Sequence, residues 1–260
     1  MKRRTFLCLP LAAFAQSPGL VPGFHLLYHL RFADARAAFL AWQRDHPADP
    51  MGFAAEAACH LFEEFEHHGV LTTEFFLDDD RLLGGIKSTA DPARSNAFEQ
   101  ASALARKRAT DSTANSLLAL ALASGMEADY AALITKRQLD SLRHIREAEA
   151  FARRLLTAAP SVTDGYVALG AANYILACLP SYKRAVLWFG GLQGNKQRGM
   201  GQLAQAARDA LYLGPYAKMM LALVSIREKR FQDASRLMKE LTVAFPESPL
   251  FARERAKLKE

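Results

Sequence analysis

The chain has 260 residues, half of them hydrophobic, with 33 Lys and Arg against 27 Asp and Glu and a formal net charge of +6. Three of the bases, Lys2, Arg3 and Arg4, stand among the first four residues; without them 30 bases face 27 acids, and the charge of +3 removes the main support for a nucleic-acid partner. The apolar content is ample for a substantial core.

The chain opens with "MKRRTFLCLPLAAFAQ", which has a basic start, an apolar run from Phe6 to Phe14 and a small-x-small end at Ala13-Phe14-Ala15. This reads as a secretory signal peptide over residues 1–15, cleaved before Gln16, with residues 16–260 as a single helical-repeat domain. Arg3-Arg4-Thr5-Phe6-Leu7 also resembles a twin-arginine export signal, so an exported, periplasmic or secreted protein is expected by either route. Cys8 leaves with the signal, and Cys59 and Cys178 are expected as buried free thiols.

Beyond that segment, apolar residues recur at spacings of three and four and strand signals are scarce, which predicts an all-α protein. Helices are expected at about 23–30, 32–45, 50–68, 92–109, 112–135, 137–158, 162–179, 195–211, 215–228, 231–244 and 249–259. Asp49-Pro50, Asp91-Pro92 and Ser248-Pro249 mark three starts, each a polar cap followed by proline at the first helical position.

"HLFEEFEHH" places His60, Glu64 and His67 near one helical face, where imidazole and carboxylate can bind zinc or a related metal. The order is not HEXXH, and a polar helix edge accounts for the same residues. Asp78-Asp79-Asp80 reads as a solvated acidic turn capping the helix of Arg81-Leu82-Leu83. "GGLQGNKQRGMG" is glycine-rich and basic but lacks the order of a phosphate loop. In "YKRAVLWFGGL", Lys183 and Arg184 precede Trp188 and Phe189. Exposed, that segment would touch membrane headgroups as a peripheral contact or accept a partner; buried, it would cover the adjoining core.

"RFADARAAFLAWQRDHPADP" (31–50) returns as "RFQDASRLMKELTVAFPESP" (230–249), with Arg, Phe, Asp, Ala and two prolines at identical offsets. Gly23, Ala35, Phe39 and Pro47 give the spacing Gly-x11-Ala-x3-Phe-x7-Pro, repeated at Ala222, Ala234, Met238 and Pro246 and, in its second half, at Ala148, Ala152 and Pro160. A fourth unit begins at Tyr166, Leu169 and Gly170, with its partner helix displaced to Gly199, Leu203 and Ala206. These spacings resemble the tetratricopeptide repeat, and the chain is similar to an uncharacterised group of exported bacterial proteins of that type. The resemblance implies a helix-turn-helix solenoid with degenerate repeats and insertions near 71–92 and 180–199.

In such an array the first helix of each pair lines the concave face, which places Tyr166, Asn173, Tyr174, Tyr216 and Arg227, with Met219 and Leu223, at a groove suited to a polypeptide partner. No nucleophile–base set or cofactor motif accompanies it. The function expected from sequence is therefore a non-enzymatic exported interaction or scaffold protein, with a metal-dependent protein using His60, Glu64 and His67 as the alternative.

Overall fold

In the computed structural model, which describes residues 18–179 and 193–258, every regular element is helical among the described residues. The expected signal peptide and Lys183, Arg184, Trp188 and Phe189 lie outside those residues. The helices are α1 (Val21–Tyr28), α2 (Phe32–Asp45), α3 (Pro50–His67), α4 (Thr73–Leu77), α5 (Asp79–Gly84) and α6 (Pro92–Arg108). Then follow α7 (Ala114–Asp129), which runs into a π-helical turn at Tyr130–Ile134, α8 (Gln138–Ala158) and α9 (Gly165–Cys178). The last four are α10 (Lys196–Asp209), α11 (Gly214–Arg227), α12 (Phe231–Ala244) and α13 (Pro249–Lys257).

Short polar side chains start several of these helices by accepting N–H groups that no helical carbonyl can reach. The Asp49 carboxylate accepts from Met51 N at 2.9 Å, and Asp91 accepts from Ala93 N and Arg94 N at 2.8 and 3.1 Å. Asp78 accepts from Asp80 N and Arg81 N, so the acidic turn at 78–80 does cap a helix. Ser248 differs from the expected cap, because its hydroxyl donates to the Tyr28 carbonyl at 2.7 Å.

The duplicated stretch is a recurring turn. Leu30, Lys136 and Lys229 all sit at φ near +60°, and the next residue in each case is an arginine that pairs with an aspartate three positions on: Arg31–Asp34, Arg137–Asp140 and Arg230–Asp233. Each following helix, α2, α8 and α12, ends at a residue just before proline, His46, Ala159 or Phe245, where the ring excludes further helix. From arginine to proline the spacing is 16 residues in the first and last copies and 23 in the middle one. Seven extra residues are close to two helical turns, so Ala148 and Ala152 keep the core-facing position that Ala35, Phe39, Ala234 and Met238 occupy.

Successive helices pack on one another: α1 on α2, α2 on α3, α3 on α6, α6 on α7, and so through α12 on α13. α9 and α10 approach closely: a Cβ on Gly170 would lie 3.0 Å from the Gly199 carbonyl and 2.8 Å from Leu203. Ala114–Ile134 is long and apolar enough to cross a membrane by length and composition, but here it is mostly buried, among α3, α6, α8 and α9.

Contacts between distant parts of the chain draw it into a closed body. Phe24 of α1 stacks on Tyr212 at 5.0 Å, the Tyr28 hydroxyl donates to the Tyr212 carbonyl at 2.9 Å, and Phe245 meets the Tyr28 ring. Residues 71–92 pack inward. The Glu254 carboxylate of α13 accepts from Thr73 N and Thr73 Oγ1 at 2.8 and 2.7 Å, and Arg227 donates to the Phe76 carbonyl at 3.0 Å and pairs with Asp79. Gly85, at φ +71°, brings Ile86 N to the Leu133 carbonyl of the π turn at 2.8 Å; a Cβ there would collide with that carbonyl.

Two stability measurements follow. Gly170→Ala should cost about 1–3 kcal/mol through overpacking, whereas Gly201→Ala on the open side of α10 should be neutral or stabilising by up to about 1 kcal/mol, read as urea midpoints. Lys229→Gly removes a side chain from the left-handed region and should raise stability by roughly 0.5–1 kcal/mol in the same assay.

Candidate functional site

Two apolar cavities meet inside the closed body, an inner one of about 120 Å³ and an outer one of about 530 Å³. They share Phe65, Asp129, Ile145, Ala171, Ile175 and Tyr216 as lining residues. The inner space exists because small side chains, Ala58, Ala121, Gly125 and Ala168 among them, face one another where α3, α7 and α9 converge. Phe24, Tyr28 and Leu213 form part of its wall, so the clasp around Tyr212 encloses it. The outer space is walled by the 71–92 segment through Phe76 and Leu82, by the π turn, and by Met219, Leu223 and Arg227 of α11.

Asp129 stands where the two cavities join, on the last residue of α7 before the π turn. It is half-buried, and no hydrogen bond or ion pair to its carboxylate is present among the described residues. Burial alone pushes the carboxyl up to about 7. Tyr216 is its electrostatic neighbour: burial first and the Asp129 charge second drive the phenol well above its ordinary range. Asp164 also lines the inner cavity, but its carboxylate accepts N–H groups from Leu211, Tyr212 and Leu213 at 3.0, 2.9 and 2.8 Å. Arg227 is occupied by Phe76 and Asp79.

The residues expected at a groove separate into two sets. Tyr216 and Arg227 line the outer cavity together with the buried Met219 and Leu223. Asn173 is buried and donates to the Leu169 carbonyl and Gln202, while the Tyr174 hydroxyl donates to Glu228 at 2.9 Å under Lys196. Tyr166 is half-buried against Ala152 and Leu169. These three are held by internal partners and serve packing between α8, α9 and α10.

His60, Glu64 and His67 do not converge. Glu64 is buried and accepts from His68 at 2.8 Å, from Asp91 N at 2.9 Å and from Arg94 at 2.5 Å. Burial works against that carboxylate, yet these donors hold it below the usual range. His60 lies 3.9 Å from Glu56, and His67 is exposed. The one cluster with ligand atoms close together among the described residues is Glu127, His144 and Glu147. Arg106 already pairs with both carboxylates there, and Ser102 donates to Glu127 at 2.6 Å, so the set works as a brace joining α6, α7 and α8. Cys59 is buried with its thiol pushed up to about 12 by burial, while Cys178 is half-buried at the outer cavity; both are free.

The two acids that end "LALALASGMEAD", Glu127 and Asp129, were the available signal for Asp129, since a charged residue in an apolar helix of this length is uncommon unless it is paired or used. Its titration makes a test. A carboxyl whose folded pKa is raised keeps its proton where the unfolded chain has lost it, so its contribution favours folding at low pH and is lost as pH rises from about 4 to about 7. Asp129→Asn should therefore be stabilising at pH 8 and lose that advantage toward pH 4, measured by urea unfolding across the range. No family model, curated protein or solved structure matches this chain.

Proposed function

We propose that this chain is an exported, non-enzymatic interaction protein, built from degenerate tetratricopeptide-like helical pairs, whose interior cavity receives apolar side chains of a polypeptide partner. The observation that carries the reading is the joined pair of apolar cavities, about 120 and 530 Å³, walled by aromatic and aliphatic side chains with few polar groups. Sites of that size and lining are the common form of binding pockets. The recurring Arg-x-x-Asp turns and the proline-terminated α2, α8 and α12 support the repeat reading. The basic start and apolar run before Gln16 support export. Among the described residues Asp129 has no hydrogen-bonded nucleophile beside it, which favours holding a ligand over transforming one.

The closure of the body moves the binding element from an open groove to the cavity, with Tyr216 and Arg227 as the members of the expected set that touch it. Filling the cavity tests this. Ala171 lines both spaces, so Ala171→Phe should occupy them, whereas Leu139→Ser changes an exposed residue on α8. In affinity capture from an extract of exported proteins, wild type and Leu139→Ser should retain the same polypeptide. The filled variant should recover about tenfold less, the equivalent of about 1.4 kcal/mol. Equal recovery by all three would contradict the reading.

A further inference from the structure

The cavity system has an imbalance of charge. Among the described residues that line it, four are acids, Asp79, Asp80, Asp129 and Asp164, and one is a base, Arg227. Arg227 is taken up by Asp79 and the Phe76 carbonyl at the outer wall, and Asp164 is taken up by three backbone N–H groups. Asp80 is exposed on α5 at the outer rim. Asp129, half-buried, stands at the junction, where Phe65, Ile145, Ala171 and Ile175 line both spaces with it. The other titratable groups on these walls are the Tyr28 and Tyr216 phenols and the Cys178 thiol, which supply no positive charge at neutral pH.

A buried carboxylate without a partner is costly, and an incoming cation that reaches it recovers that cost along with the hydrogen bonds. The walls before it are apolar, so the cation must arrive on an aliphatic stem, as a lysine ammonium does on its four methylenes. Resting on the reading of the cavity as the binding element, we infer that the cavity selects a protonated aliphatic amine, a lysine side chain flanked by apolar residues of the polypeptide partner, with its ammonium on the Asp129 carboxylate. Anionic occupants are disfavoured by the same excess of acids.

The test uses n-hexylamine and n-hexanol, which share a shape and differ in charge, titrated calorimetrically into the whole protein. At about pH 8.5, above the Asp129 pKa of about 7, the amine should bind at least about tenfold tighter than the alcohol. At about pH 5.5, where the carboxyl is neutral, that preference should collapse in the wild type, an arm that needs no variant. Asp129→Asn should abolish the preference while leaving n-hexanol binding unchanged, which also shows that the variant folds. Equal binding of amine and alcohol at the higher pH, or a preference that survives Asp129→Asn, overturns the inference. Binding of neither overturns the cavity reading itself. A Leu-Lys-Leu-Leu peptide with blocked ends should displace n-hexylamine where its norleucine counterpart does not; displacement by neither overturns the lysine as the source of the amine.

Discussion

Three consecutive backbone N–H groups, those of Leu211, Tyr212 and Leu213, end on the Asp164 carboxylate, and the position of Tyr212 follows from them. Without that acceptor the link between α10 and α11 would leave three donors unpaired, and the two buried ones, of Tyr212 and Leu213, would each cost on the order of 1–3 kcal/mol. With it, the Tyr212 ring lies flat against Phe24 and its carbonyl receives the Tyr28 hydroxyl. The first helix of the chain is thereby fixed to its last third, and Ser248 and Phe245 complete the contact from α12 and α13. Local packing alone would give a row of helices; this clasp turns the row into a closed body.

Closure has a consequence for the interior. Neighbouring helices interdigitate well, as the fully buried Phe39, Leu155, Leu203 and Met238 show. Where α3, α7 and α9 meet around the middle, the facing residues are alanine and glycine, and the space between them stays unfilled. Asp129, whose carboxylate has no hydrogen bond or ion pair among the described residues, is placed at that point, at the end of a helix that then widens into a π turn, a deformation often found at functional sites. Empty volume and an uncompensated acid both weaken the folded state, and coincidence of the two at one place is expected of a site kept for binding.

Much of the helical framework was legible because it is local. Asp49 and Asp91 with their following prolines marked true starts, and the paired Arg, Asp and Pro of the 31–50 and 230–249 stretches encode a turn and a stop that depend only on nearby atoms. One contact between helices was also legible: Gly170 and Gly199, which the spacing set opposite each other, do meet, because only glycine admits that approach of two backbones. The closure was not. Tyr28 and Tyr212 are 184 residues apart, and Thr73 and Glu254 are 181 apart, with nothing in either neighbourhood to name its partner. The helices α4 and α5 escaped because five or six residues are too few to display a period. At His60, Glu64 and His67 the sequence left a metal face and a polar helix edge as alternatives, because it could not show that Arg94, from the next long helix, uses up Glu64. Asp129 was visible as an acid in an apolar run, but whether it met a base across the core was a three-dimensional fact.

The clasped helices surround an apolar space able to accept an occupant. Xenon binds in such spaces and not in well-packed or water-filled ones. A crystal pressurised with xenon should show density between Phe65, Ile145, Ile175 and Tyr216. A well-diffracting crystal with no xenon at that place, or with ordered water filling it, would contradict the account.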